Sequence, residues 1–213
     1  MARALPRPRL TVITDQALAT GKLMTVVGAA LEGGCRLIQL RRHRTAAGPL
    51  LKLAQQLRRL TGDYDAMLVI NDRVDIAVES GADGVHLPTA GMRAATVRKI
   101  VGPRMLIGRS VHSFEELDAL LHDEVDYVHF GPVYETDSKR TFGSPQGLHK
   151  LAEVVKRADG LPVVAVGGIH RGRGQEVART GAWGAAVIGA VTGANDPRAE
   201  TEALLAALGR PQD

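Results

Sequence analysis

The chain has 213 residues, 45% hydrophobic but only 3% aromatic, with a formal net charge of +4 and one cysteine. Its length suits one domain near the short end of the range for a (β/α)8 barrel. Scarce aromatics and dispersed basic residues argue against a nucleic-acid-binding surface. No apolar run approaches the roughly 20 residues of a membrane helix, residues 1–9 are too short and polar for a signal peptide, and a lone cysteine forms no internal disulfide, as expected of a chain in a reducing cytoplasm.

In chain order, a short basic extension over residues 1–8 precedes eight apolar runs predicted as strands: 10–14, 37–40, 67–70, 84–87, 105–107, 127–130, 163–166 and 185–188. They are rich in Val, Ile and Leu with little polar alternation, the pattern of strands buried on both faces. Cys35, between Gly34 and the second run, reads as a small packing residue. Leu50, Leu53, Ala54, Leu57 and Leu60 form a helical stripe between the second and third runs. Leu148, Leu151, Val154 and Val155 form another between the sixth and seventh. Ser113, three residues before Glu116, predicts a capping box opening the helix after the fifth strand. Gly33-Gly34, Gly81 and Gly181 mark helix ends. Residues 42–48 and 134–147 read as polar loops, the second long enough for a functional lid. Strand and helix alternate with no linker, so the expected fold is α/β: a single (β/α)8 TIM barrel over residues 1–213. An open doubly wound sheet is the second choice, weakened by the lack of Gly-x-Gly-x-x-Gly after the first strand.

In such a barrel the active site lies at the C-terminal ends of the strands. The residues there are Thr14-Asp15, Gln39 with Arg41, Asn71-Asp72, His86, Arg109-Ser110 with His112, Gly131, Gly167-Gly168 and Ile188-Gly189. Glycines at the seventh and eighth strand ends let backbone N–H groups approach a phosphate closely, where TIM barrels often bind one. Thr136, Ser138 and Lys139 offer hydroxyls and an ammonium to a second anion such as pyrophosphate, and Arg41 adds a guanidinium. Asp72 beside such an anion suits Mg²⁺, and equally suits the cap of the third helix. His86, His112 and His129 are candidate general bases or structural hydrogen-bonders. No His/Cys/Asp cluster has zinc spacing, and no Gly-x-Ser-x-Gly elbow is present.

Seven segments occur in order: Ile13-Thr14-Asp15, Gln39-Leu40-Arg41, Asn71-Asp72-Arg73, Ala82-Asp83-Gly84-Val85-His86-Leu87, Gly108-Arg109-Ser110-Val111-His112, Gly131-Pro132-Val133 through Thr136-Asp137-Ser138-Lys139, and Val166-Gly167-Gly168-Ile169. Together they make nearly the whole chain resemble the thiamine phosphate synthase/TenI family. The resemblance implies a transferase of thiamine biosynthesis that joins hydroxymethylpyrimidine pyrophosphate to thiazole phosphate and releases pyrophosphate, assisted by Mg²⁺. It implies that Arg41, Lys139 and Mg²⁺ on Asp72 stabilise the leaving pyrophosphate, with Asn71, Thr136 and Ser138 as further ligands. Gln39 and Ser110 would contact the pyrimidine, and Gly168, Ile188 and Gly189 the thiazole phosphate.

Two positions depart from the synthase pattern: His43 replaces a lysine, and Gly91 stands where a second Mg²⁺ carboxylate is expected. The wording around Leu87-Pro88 and Arg109 to Ser113 looks more like the TenI branch, whose thiazole tautomerases act without metal. Their base is a His directly after the sixth-strand glycine, and here that position is Pro132. The alternatives are therefore a TenI-like tautomerase, with His112 or another residue as the replacement base, or a non-catalytic thiazole-phosphate-binding or regulatory protein. The expected partners are small phosphorylated substrates, with neither nucleic acid nor membrane; homo-oligomerisation is left open.

Overall fold

The computed structural model describes residues 4–6, 9–121, 123–136 and 144–209. Eight parallel strands close into a barrel in chain order: β1 (Leu10–Ile13), β2 (Leu37–Leu40), β3 (Met67–Asn71), β4 (Gly84–Leu87), β5 (Leu106–Val111), β6 (Tyr127–Phe130), β7 (Val163–Val166) and β8 (Gly184–Val187). The last seam pairs Leu10 with Ala185 and Val12 with Val187. The intervening helices are α1 (Thr20–Glu32), α2 (Ala47–Gly62), α3 (Val74–Glu79), α4 (Ala94–Val101), α5 (Phe114–Asp118), α6 (Gly147–Arg157) and α7 (Gly174–Arg179); a short α8 (Gly189–Thr192) and a longer α9 (Pro197–Leu208) follow β8.

Strand alternation sorts the apolar residues into two shells. Leu10, Val12, Ile38 and Leu40 face outward and pack with Leu50, Leu53, Ala54 and Leu57 of α2. Ile13, Leu37, Val69, Leu106, Tyr127, Val164 and Val166 fill the barrel interior, with Leu5 and Trp183 packed against them. Burying each such side chain contributes about 1.5–3 kcal/mol. At the N-terminal rim one brace occurs twice. Asp83, just before β4, accepts the Leu68 N–H at 2.9 Å and pairs with Arg58 of α2. Asp126, just before β6, accepts the Ile107 N–H and Arg98 of α4, both at 2.7 Å.

Beyond one-residue shifts at the ends of β1, β3 and β8 and the pair of helices after β8, the elements differ from the sequence expectations in three places. β5 runs on to Val111 rather than ending at Ile107: Arg109 and Ser110 break the apolar run, but the ladder continues, with Arg109 opposite Leu87 and Ser110 opposite His129. Only half of the capping box forms. Ser113 Oγ accepts the Glu116 N–H at 3.2 Å, while Glu116 reaches back to the His112 N–H, at 2.6 Å, instead of to Ser113. The loop after β2 ends earlier than expected, because α2 starts at Ala47. The glycine helix ends are as read: Gly34, Gly81 and Gly181 all have positive φ. Cys35 is fully buried, and burial pushes its thiol up to about 11, which suits packing and not nucleophilic chemistry.

Candidate active site

The polar residues predicted at the strand ends do gather at one mouth of the barrel. Gln39 and Asn71 lie on neighbouring strands, and Gln39 Nε2 donates to Asn71 Oδ1 at 3.1 Å. Gln39 is 2% exposed, and among the described residues its Oε1 has no hydrogen-bond partner. A buried acceptor left in that state costs stability unless a ligand donor meets it. Ser110, inward-facing on β5, has its Oγ 2.9 Å from His86 Nε2. His86 and His129 lie inside the barrel, 2% and 3% exposed, with ring centroids 4.1 Å apart. Their positions suit hydrogen-bonding within the interior. His112, just past β5, has its Nδ1 3.2 Å from Glu116 Oε2 and 3.1 Å from Thr89 Oγ1.

A second feature lies between β7 and β8. A cavity of about 120 Å³ is lined by Thr136, Gly167, Gly168, Ile188, Gly189 and Ala190, among others. Gly167 and Gly168 have φ of +101° and +66°, a conformation side chains rarely adopt. Their backbone turns the β7 end into a concave edge. Ile188 precedes α8, whose first amides, Gly189 and Ala190, have no partner within a helix turn. A short helix after β8 beside the β7 loop is a recurrent phosphate site of this fold. The two glycines are not equivalent. A Cβ on Gly189 would meet nothing within 4 Å, whereas one on Gly168 would lie 2.6 Å from Glu135 O and 2.8 Å from Tyr134 Cβ. Gly189 thus opens onto the cavity, while Gly168 also lets the loop after β6 pack closely.

The mouth is cationic beside β2. Arg41 follows the strand, its N–H held by Thr14 Oγ1 at 2.9 Å. Burial holds its guanidinium below the usual range, and Asp15 opposes that. His43 lies with Gln16 and Arg44 at an open recess of about 620 Å³. Burial, then Arg41 and Arg44, hold its imidazole below the ordinary 6.5, with Asp72 opposing.

Asp72 does not cap α3, whose N-cap is Arg73 without a side-chain bond. Its φ is +64°, and its N–H donates to His86 O at 2.9 Å. Among the described residues no group of three or more His, Cys, Asp or Glu has the arrangement of a metal cage. One free-standing carboxylate beside cationic groups fits Mg²⁺ of the kind held mainly through phosphate oxygens. Gly91 offers no easy place for a second carboxylate, because its Cβ would lie 2.9 Å from Pro88 Cδ and 3.0 Å from Pro88 O.

Not every strand-end residue belongs to the site. Arg109 braces the 88–92 turn, donating to Met92 O at 2.6 Å and Thr89 O at 2.8 Å. Ser138 and Lys139 lie outside the described residues; Thr136 lies within them, at the cavity. Sequence reasoning missed Tyr127, Thr89 and the Tyr134–Arg173–Glu176 contacts. Tyr127 begins an apolar strand and reads as core, and the others pair residues with no sequence signature in common.

Comparison with known proteins decides the family. Residues 10–191 match the profile described as thiamine monophosphate synthase. The chain belongs to the thiamine monophosphate synthase family. Within it, the thiamine-phosphate synthase of Roseiflexus sp. (strain RS-1) is 41% identical over 203 residues, covering 95% of this chain and 86% of that protein. The thiamine-phosphate synthase of Pyrococcus furiosus is 41% identical over 199 residues, covering 92% of each. The structure of the thiamine phosphate pyrophosphorylase from Pyrococcus furiosus superposes with a TM-score of 0.83 at 37% identity, over 94% of this chain and 95% of that one. A 3-hexulose-6-phosphate synthase structure, 19% identical with a TM-score of 0.69, shares the fold alone.

Proposed function

We propose that the chain is a thiamine phosphate synthase, joining hydroxymethylpyrimidine pyrophosphate to thiazole phosphate with release of pyrophosphate. What supports this reading is one mouth that carries both the glycine-lined cavity at β7–β8 and, past the end of β2, a group of basic side chains, Arg41, His43 and Arg44. Between them lie two groups able to read a heterocycle, Gln39 and Ser110. The thiazole phosphate would sit on the amides of Gly168, Gly189 and Ala190 beside Ile188. The pyrimidine would give a donor to Gln39 Oε1 and an acceptor to Ser110, with Asn71 holding the Gln39 amide in place. The pyrophosphate would meet Arg41 and, by family resemblance, Thr136, Ser138 and Lys139, with Thr136 also lining the cavity assigned to the thiazole phosphate.

The C–O bond to pyrophosphate breaks with its electron pair leaving on oxygen, and the thiazole nitrogen supplies the pair for the new C–N bond. Negative charge therefore gathers on the leaving group, so cations placed beforehand lower the barrier. Mg²⁺, when bound, neutralises part of that charge, with Asp72 as the carboxylate that would hold it. The substrates are small and phosphorylated, and no helix among the described residues is long and apolar enough to cross a membrane; we place the reaction in the cytoplasm. One observation favours a second reading. Glu116 and Thr89 orient His112 as they would a general base, as a metal-free thiazole tautomerase would need.

Calorimetric titration with thiazole phosphate, and separately with pyrimidine pyrophosphate plus Mg²⁺, tests this geometry. Both ligands are expected to bind. Gly189→Val, filling open space, is expected to weaken thiazole phosphate binding about tenfold or more and to leave the pyrophosphate substrate within twofold. Binding of thiazole phosphate alone would replace the transferase by a binder or a tautomerase.

A further inference from the structure

We propose that Tyr127, acting through His86, makes Ser110 a hydrogen-bond donor toward the bound substrate, so that a phenol inside the barrel sets the polarity of a side chain at the mouth. The pyrimidine as the ligand that Ser110 meets rests on the transferase reading above; the relay itself rests on three side chains of adjacent strands.

Tyr127, His86 and Ser110 lie on β6, β4 and β5, all facing inward. The phenol oxygen is 3.3 Å from His86 Nδ1, and His86 Nε2 is 2.9 Å from Ser110 Oγ. Gly108, between them on β5, makes the contact possible. A Cβ there would lie 2.2 Å from Tyr127 Cζ, 2.5 Å from its hydroxyl and 2.6 Å from His86 Nδ1. The His129 ring packs against His86, its plane tilted by 34°, and its centroid lies 5.4 Å from that of Tyr127.

The direction of the chain follows from donor counting. Tyr127 is 1% exposed, and burial pushes its phenol far above the ordinary value, so it keeps its proton. Among the described residues that hydroxyl lies within hydrogen-bond distance of His86 Nδ1. A buried O–H that donates to nothing is costly, so the phenol donates and Nδ1 accepts. An uncharged imidazole whose Nδ1 accepts carries its one proton on Nε2. That proton goes to Ser110 Oγ, and the serine's own proton is left to donate outward. The substrate atom facing Ser110 must then be an acceptor, such as a pyrimidine ring nitrogen. The opposite direction would offer it a serine that accepts, and the ring nitrogen would be rejected.

Tyr127 and His86 are positioning residues in this scheme, and two measurements test it. In protein labelled with ¹⁵N-histidine, the ring-nitrogen shifts of His86 are expected to report the Nε2–H tautomer. Tyr127→Phe, which keeps the ring, is expected to lose that pure tautomer. In kinetics it is expected to raise KM for pyrimidine pyrophosphate on the order of tenfold, one neutral hydrogen bond's worth. The KM for thiazole phosphate and the melting temperature should change little. An Nδ1–H tautomer in the parent protein overturns the relay, and so do equal changes in both KM values in Tyr127→Phe. The tautomer reading needs no activity, so it stands or falls separately from the transferase assignment.

Discussion

His43 shows what one substitution does to a site. At a position where the family resemblance implies a lysine, the chain carries a side chain whose charge depends on pH. Its folded pKa is depressed by burial and by Arg41 and Arg44, so below 6.5 the unfolded chain binds more protons than the folded one. Stability from this group is full above 6.5 and is lost as pH falls from there toward the lower folded value. A bound pyrophosphate reverses the local field and favours the cation. Binding should therefore take up a proton at His43, and affinity should rise as pH falls through the neutral range. His43→Lys should flatten that dependence. Titration of inorganic pyrophosphate at stepped pH, parent against variant, cancels the ligand's own ionisation; identical slopes would remove His43 from the site. At this scale the sequence was a good guide to which residues reach the mouth, because strand-end position alone placed Gln39, Arg41, Asn71, Asp72 and Ser110. It was a poor guide to partnership: Tyr127 and His86 are 41 positions apart, and nothing local in either segment announces the other.

Among the elements, residues 131–136 after β6 are tied to the end of β7. Val133 N donates to Val166 O at 2.9 Å and Tyr134 N to Gly167 O at 3.1 Å, so the loop leaves β6 along the β7 end. Tyr134 then locks it. Its hydroxyl donates to Glu176 of α7 at 2.8 Å, and the Arg173 guanidinium lies 4.2 Å from the ring centroid while donating to Gly168 O at 2.6 Å. Burial and Glu176 push the phenol up to about 12, so it remains a donor at any working pH. Thr136 follows two residues on, at the cavity. Tyr134→Phe removes one partly exposed hydrogen bond and should cost about 0.5–1.5 kcal/mol. Arg173→Ala removes both the ring contact and the Gly168 bond and should cost more. Thermal unfolding of the two variants gives the order; a Tyr134→Phe loss equal to or larger than that of Arg173→Ala would contradict the lock. Element ends were harder to read than elements. β5 continues through Arg109 and Ser110 because ladder hydrogen bonds are indifferent to side-chain polarity. The capping box at Ser113 is half formed because Glu116 found the His112 N–H first.

For the whole molecule, the barrel was legible because strands buried on both faces read as uninterrupted Val, Ile and Leu runs, and eight such runs alternate with helical stripes. The doubling of the last helix into α8 and α9 was not legible, since a four-residue turn carries no periodicity. Yet α8 completes the β7–β8 cavity. The closed barrel brings the glycine-lined β7–β8 cavity and the basic side chains after β2 to a single mouth. The central claim is that this mouth transfers a pyrimidine from pyrophosphate to a thiazole nitrogen. The most direct measurement is a single-turnover incubation of the folded protein with hydroxymethylpyrimidine pyrophosphate, thiazole phosphate and Mg²⁺, following thiamine phosphate and released pyrophosphate together. The account predicts equal amounts of the two products, with the single-turnover rate falling at least a hundredfold, roughly 2.7 kcal/mol of transition-state stabilisation, in Arg41→Ala. No thiamine phosphate at any Mg²⁺ concentration from protein that still binds both substrates would contradict it.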